Sequence, residues 1–122
     1  GFYKEEQISI VLKGADGAAQ IKQMMENMRS NPPQTLGKYT IKEIRDYQLN
    51  TVVHTQTKET TQTGLPKSNV LYYDLGDGAW CCVRPSGTEP KIKFYIGVKE
   101  DTMEKAEAEV KKLAEELKKI AQ

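Results

Sequence analysis

The octet Arg84-Pro85-Ser86-Gly87-Thr88-Glu89-Pro90-Lys91 gathers groups suited to holding an oxyanion. Arg84 offers a planar guanidinium fork that matches two phosphate oxygens at once. Ser86 and Thr88 add hydroxyl donors. Gly87 permits a backbone with φ > 0, so that consecutive N–H groups turn toward one point and form an anion-accepting nest. Pro85 and Pro90 lack an N–H and stiffen the two ends of the loop. The spacing is not that of a Walker loop. The same composition builds ordinary hairpin loops, and residue chemistry alone leaves both readings open.

The flanks decide how the octet is held. Ala79-Trp80-Cys81-Cys82-Val83 is a short apolar run and Lys91–Val98 alternates, so both are predicted strands with the octet joining them. On the second strand Ile92, Phe94, Ile96 and Val98 share the face predicted as core, and Lys91, Lys93 and Tyr95 share the solvent-facing or site-facing side. Val70–Leu75 is a further strand, joined through the tight turn Gly76-Asp77-Gly78, so the three strands form a meander.

Upstream, Gln7–Leu12 reads as a strand, and Asp16 is placed to cap a helix carrying Ala18, Ile21, Met25 and Met28 at helical spacing. The methionines suit a helix core better than a soft-metal site. Asn31-Pro32-Pro33 ends the helix. Gly37–Tyr47 is predicted as one bulged strand whose charges at Lys42, Glu43, Arg45 and Asp46 suggest an edge position. Gln48–Asn69 is a Thr-rich polar stretch with little periodicity, expected as a long loop in which His54 is a solvated residue. Downstream, Asp101 and Glu104 suggest a capping box that opens a helix to about Ile120, with Met103, Ala106, Val110, Leu113, Leu117 and Ile120 facing the sheet. Glu104, Glu107 and Glu109 precede Lys111, Lys112, Lys118 and Lys119, matching the helix dipole. The sum is an α+β fold: a mostly antiparallel sheet of about four to five strands with two helices packed on one face.

The 122 residues suit one domain with a substantial core. Eighteen basic residues against seventeen acidic ones argue against a nucleic-acid or membrane-surface protein run by bulk charge. No apolar run approaches a membrane span, and no signal peptide is visible. Cys81 and Cys82 point to opposite faces of a strand, and with His54 the only histidine no zinc set is available; reduced thiols of a cytoplasmic protein are expected. The Gly1-Phe2-Tyr3-Lys4 start suggests a piece of a longer protein.

The run Arg84-Pro-Ser-Gly-Thr-Glu-Pro-Lys-Ile-Lys-Phe-Tyr95 resembles the phosphate-binding loop of the C-terminal domain of α-D-phosphohexomutases, the phosphoglucomutase and phosphomannomutase family in its bacterial type. Ser9–Met28 with its Lys-Gly-Ala-Asp-Gly segment, Asn31-Pro32-Pro33, and Leu65-Pro66-Lys67-Ser68-Asn69-Val70-Leu71 also resemble that domain. The likeness covers nearly the whole chain and is loosest over residues 48 to 64.

The resemblance implies a TATA-binding-protein-like fold, without DNA binding. It implies a domain of an enzyme interconverting hexose 1-phosphate and hexose 6-phosphate through a phosphoserine and a bisphosphate intermediate. The partners would be glucose 1-phosphate, glucose 6-phosphate, glucose 1,6-bisphosphate and the preceding domains of the same chain. Arg84, Ser86, Gly87 and Thr88 fall on the family's phosphate contacts. Lys93 falls where many members carry Arg, which keeps the charge and loses the fork. The family's Thr/Ser-x-Ser-His-Asn-Pro nucleophile motif and Asp-Gly-Asp-x-Asp magnesium motif are both missing from this sequence. Catalytic serine and Mg²⁺ are therefore expected on other domains, and the chain alone is expected to be inactive.

Two other classes compete. A small RNA-binding module would use aromatic residues on a sheet face, but adjacent Phe94 and Tyr95 face opposite ways and the aromatic-glycine signature is missing. A protein-interaction module would use the C-terminal helix, whose apolar seam lasts under three heptads.

Overall fold

The computed structural model describes residues 1–12 and 14–120; Lys13 of the Lys-Gly-Ala-Asp-Gly segment lies outside them. The elements in chain order are β1 (Phe2–Val11), α1 (Gly17–Ser30), β2 (Thr35–Leu36), β3 (Tyr39–Thr40), β4 (Glu43–Asp46), β5 (Thr51–His54), β6 (Thr60–Thr61), β7 (Leu71–Gly76), β8 (Ala79–Pro85), β9 (Lys91–Glu100) and α2 (Met103–Ile120). The main sheet has seven strands in the order β1-β9-β8-β7-β4-β5-β6, every neighbouring pair antiparallel. β2 and β3 form a separate two-stranded ribbon. The α+β class is as the sequence predicts, with a wider sheet.

The alternation along β9 sets the two faces. Ile92, Phe94, Ile96 and Val98 are fully buried. They belong to one core cluster with Cys81 and Val83 of β8, Leu71, Tyr73 and Leu75 of β7, Ile21, Met25 and Met28 of α1, and Val110, Leu113 and Leu117 of α2. Each such aliphatic or aromatic side chain contributes about 1.5–3 kcal/mol by leaving water. The Tyr73 hydroxyl donates to the Met28 carbonyl at 2.7 Å, which ties α1 to the sheet and satisfies a buried polar group. Burial pushes the Tyr73 phenol well above its ordinary range.

The β7–β8 hairpin closes as the Gly76-Asp77-Gly78 reading requires. Asp77 and Gly78 sit at φ 54° and 80°, the pair of positive values that a right-twisted two-residue hairpin needs. The Asp74 carboxylate accepts the Gly76 amide at 2.9 Å, where the register shifts.

Several expectations are corrected. β1 begins at Phe2 rather than Gln7, because it pairs with β9 along its whole length, from Phe2↔Glu100 to Val11↔Lys91. The Gly37–Tyr47 stretch is two strands rather than one bulged strand: β3 pairs with β2, and β4 enters the main sheet. β4 is also not an edge, since β5 and β6 cover it. The polar stretch after it therefore holds two strands, and His54 ends β5 instead of lying in a loop; its ring is half-exposed, 3.6 Å from a Glu43 carboxylate oxygen. The loop beyond is gathered by Asn50, whose side-chain oxygen accepts from the Thr63 and Gly64 amides and the Thr63 hydroxyl.

Both cap assignments change. Asp16 precedes α1 but makes no side-chain cap bond. At α2 the cap is Thr102, whose hydroxyl accepts the Lys105 amide at 3.1 Å. Asp101 instead pairs with the Lys105 ammonium at 3.2 Å. Thr102→Ala is expected to cost about 1 kcal/mol of unfolding free energy in urea denaturation. Asp101→Ala should cost under about 0.5 kcal/mol, because an exposed ion pair contributes little.

Candidate anion-binding site

The open face of the sheet carries the other half of the β9 alternation. Arg84 of β8 and Lys93 of β9 are direct cross-strand partners, and Ser9 of β1 is opposite Lys93 on the other side. The three therefore form one row on the open face, and Lys91 follows two residues earlier along β9. Arg84 is exposed, and Lys93 and Lys91 are half-buried. Among the described residues none of the three cations makes an ion pair. Like charges placed directly opposite each other in a sheet repel. Arg84 and Lys93 thus constitute a cationic pair with no counter-ion supplied by the described residues.

The loop 86–90 rises at the end of this row. Its base is closed by the Ser86 amide donating to the Lys91 carbonyl at 2.8 Å. Its tip folds loosely over the Ser86 hydroxyl oxygen, with the Thr88 and Glu89 amides at 3.5 Å and 3.4 Å. These are long contacts, at the outer limit of hydrogen bonding, so the amides are little committed. Gly87 and Thr88 are exposed, and a Cβ added at Gly87 would meet no atom within 4 Å. The backbone here is open to approach, but its conformation differs from the expected one: Gly87 does not have positive φ. The turn is made without it, closed by the Ser86 amide on the Lys91 carbonyl and the Lys91 amide on the Glu89 carbonyl, both at 2.8 Å, with the Ser86 hydroxyl oxygen under the tip.

Pro90 anchors the loop to the rest of the fold. Its carbonyl accepts the Leu12 amide at 2.8 Å, and its ring lies against Gly17, the first residue of α1. Pro85 lines a cleft of about 250 Å³ together with Ala18, Ile21 and Met25 of α1. Pro90 thus seats one arm of the loop against the start of α1, and Pro85 borders a cleft beside the same helix.

Of the five residues singled out from the sequence, Arg84 and Lys93 share a row, and Ser86, Gly87 and Thr88 form the loop beside it. Sequence reasoning missed Ser9, whose place beside Lys93 follows only from the β1–β9 register. It also missed an aromatic row farther along the open face. Trp80 and Tyr72 stack at 6.0 Å between centroids and 11° between planes, and the Arg45 guanidinium sits 4.9 Å from the Tyr72 ring centre. Trp80 hydrogen-bonds Tyr3. Gly97 is the floor beneath them: a Cβ there would collide with both the indole and the Tyr3 hydroxyl.

Cys82 shares the open face with Arg84. Burial raises its thiol above the ordinary value, and the nearby Arg84 charge opposes that shift. Cys81, on the core face, is fully buried and pushed much higher. Both thiols are free. Among the described residues no three His, Cys, Asp or Glu side chains converge to hold a metal ion. No described helix is long and apolar enough to cross a membrane.

An antiparallel sheet with two helices on one face, and at one end of the other a loop flanked by Arg84 and Lys91, is the α+β class of domain that the sequence resemblance implies. The comparisons agree: the phosphoglucomutase/phosphomannomutase C-terminal domain family matches residues 18–120, and the chain belongs to that family. Phosphoglucomutases of Staphylococcus aureus strains MSSA476 and MW2 are each 40% identical over 99 residues, which is 81% of this chain and 18% of the relative. That of strain N315 is 39% identical over the same length. The chain thus spans under a fifth of the curated relatives it matches.

Proposed function

We propose that this chain is the phosphate-gripping domain of a phosphohexomutase, holding the non-reacting phosphate of a hexose phosphate on Arg84, Ser86, Gly87, Thr88 and Lys93. The observation that carries this reading is the Arg84–Lys93 cross-strand pair, which has no carboxylate partner among the described residues and stands beside a loop whose Thr88 and Glu89 amides make only long contacts and can turn to an oxyanion. Ser9 and Lys91 extend the positive and polar surface at its rim. The mutase reaction moves a phosphoryl group between the two ends of one sugar, so one phosphate needs a fixed anchor while the other reacts. Grip on that anchor orients the sugar and lowers the barrier for the step at the far end.

The phosphoserine, the bound Mg²⁺ and the sugar-reading groups belong, in this reading, to preceding domains of a longer cytoplasmic enzyme. Mg²⁺ there would stabilise charge on the transferring phosphoryl group. The ligands of the domain are glucose 1-phosphate, glucose 6-phosphate and glucose 1,6-bisphosphate. By itself the chain has one wall of a site, so millimolar affinity is expected, about −4 kcal/mol.

Titration of the protein with glucose 1-phosphate and with mannose 1-phosphate, followed by amide NMR, tests this. The Ser86, Gly87 and Thr88 resonances should move saturably and about equally for both sugars, because the loop meets the phosphate and not the ring. Shifts confined to α1 and α2, or none at all, would overturn the proposal.

A further inference from the structure

We infer that Gly17 is a positioning residue for the anion loop, acting through Pro90; the inference rests on the phosphate-gripping reading above. Gly17 opens α1 and does not have positive φ, so its backbone makes no demand for glycine. Its packing does. A Cβ there would lie 2.6 Å from the Leu12 carbonyl oxygen and 2.7 Å from Pro90 Cβ. Neither neighbour is the end of a flexible side chain: one is backbone and the other a ring fused to backbone. Alanine is ordinarily the better helix former, so a glycine kept at a helical position with ordinary φ is explained by contact rather than by conformation.

The contact is aimed at the loop. Leu12 and Pro90, the two groups that a Cβ would push, are also joined to each other by the 2.8 Å Leu12 N–H bond to the Pro90 carbonyl. Leu12 ends the run from β1, Pro90 ends the loop, and Gly17 starts α1, so three segments meet at one point. Displacement at that point moves Pro90 relative to Lys91, and Lys91 accepts the bond that closes the loop base from Ser86. Glu89 is held to the same base by the Lys91 amide, which donates to its carbonyl at 2.8 Å, whereas the Thr88 and Glu89 amides make only 3.4–3.5 Å contacts to the Ser86 hydroxyl oxygen. Displacement at Gly17 is therefore passed through Pro90 and Lys91 to the groups that face the anion.

The test is inorganic phosphate titrated into the 122-residue protein at constant ionic strength, read on the Gly87 and Thr88 amides, for wild type, Gly17→Ala, Pro90→Gly and the double variant. Gly17→Ala is expected to weaken phosphate binding about tenfold, in line with the sensitivity of such sites to small misplacements, and to lower the thermal midpoint as an overpacked contact does while the protein stays folded at the titration temperature. In the Pro90→Gly background, which removes the ring that carries the displacement, adding Gly17→Ala should cost at most about threefold. Wild-type affinity in Gly17→Ala, or an equal loss in both backgrounds, would overturn the inference while leaving the site reading intact. No phosphate-dependent shift in the wild-type protein would overturn both. Should Gly17→Ala fail to fold, Pro90→Gly alone decides, and undiminished affinity in that folded variant would count against the inference.

Discussion

Arg84→Ala is expected to weaken phosphate binding by about thirtyfold while the protein keeps its fold. The size follows from the chemistry: a guanidinium supplies two parallel charge-assisted hydrogen bonds to one anion, and losing one such interaction costs about 1.5–3 kcal/mol. The preserved fold follows from the structure. The Arg84 side chain is exposed and makes no hydrogen bond or ion pair among the described residues, and such surface positions tolerate replacement within about 0.5 kcal/mol. Removing it also relieves the repulsion with Lys93. Arg84→Lys should fall between, since it keeps the charge and loses the planar fork. Calorimetric or NMR titration with phosphate measures the affinity, and urea denaturation measures the fold. An unchanged affinity would remove Arg84 from the site; unfolding would make it a structural residue. In a full-length mutase the same change should raise KM and lower kcat together, because the grip is used both in the ground state and at the transition state.

Asp46→Ala carries the second large effect, on stability. Asp46 is the one buried charged side chain among the described residues, 4% exposed. One oxygen accepts from the Arg29 guanidinium of α1 at 2.8 Å, and the other accepts the Gln48 and Leu49 amides at 3.0 Å and 3.1 Å. A second Arg29 nitrogen reaches the Asn69 side chain at 2.9 Å. One carboxylate thus ties helix, sheet and the turn after β4. Removing it strands a nearly buried guanidinium and two amides, which costs about 3 kcal/mol or more, a large share of the roughly 5–15 kcal/mol that holds a domain together. Asp46→Asn should cost clearly less, because its side-chain oxygen still accepts the two amides. Denaturation midpoints of the two variants check this; equal, small losses would show that Arg29 finds water and that the tie contributes little.

The parts of the fold legible in the sequence are those whose signal is local. Ile92, Phe94, Ile96 and Val98 alternate strictly and are all fully buried. The helix seams of α1 and α2 repeat at their own period, and both helices stand where predicted, to within a residue or two. The Asp77-Gly78 turn has only one favourable geometry. By contrast, β4, β5 and β6 are short strands whose formation depends on finding one another: β4 is mostly charged, and β5 and β6 lie in a Thr-rich, weakly periodic stretch. Asp46 carried the same message: among Lys42, Glu43 and Arg45 it reads as one more surface charge, and only the arrival of Arg29 from α1 lets it be buried. The caps failed for a similar reason, since Asp101, Thr102 and Asp16 are chemically alike as cap acceptors and the choice rests on backbone placement.

For the candidate site, the octet from Arg84 to Lys91 declares its chemistry by residue type, and the alternation of the strand after it assigns Lys93 to the face away from the core. The amino-acid order thus determined which groups offer themselves to an anion, because hydrogen-bonding capacity and strand period are properties of adjacent residues. Only the folded chain decided that Arg84 stands opposite Lys93 with Ser9 beyond it, that the loop closes on the Ser86 and Lys91 amides without a left-handed glycine, and that Pro90 rests on Gly17. Those contacts include segments as much as 84 residues apart, Ser9 and Lys93, set by strand register and helix docking, and no local pattern records them.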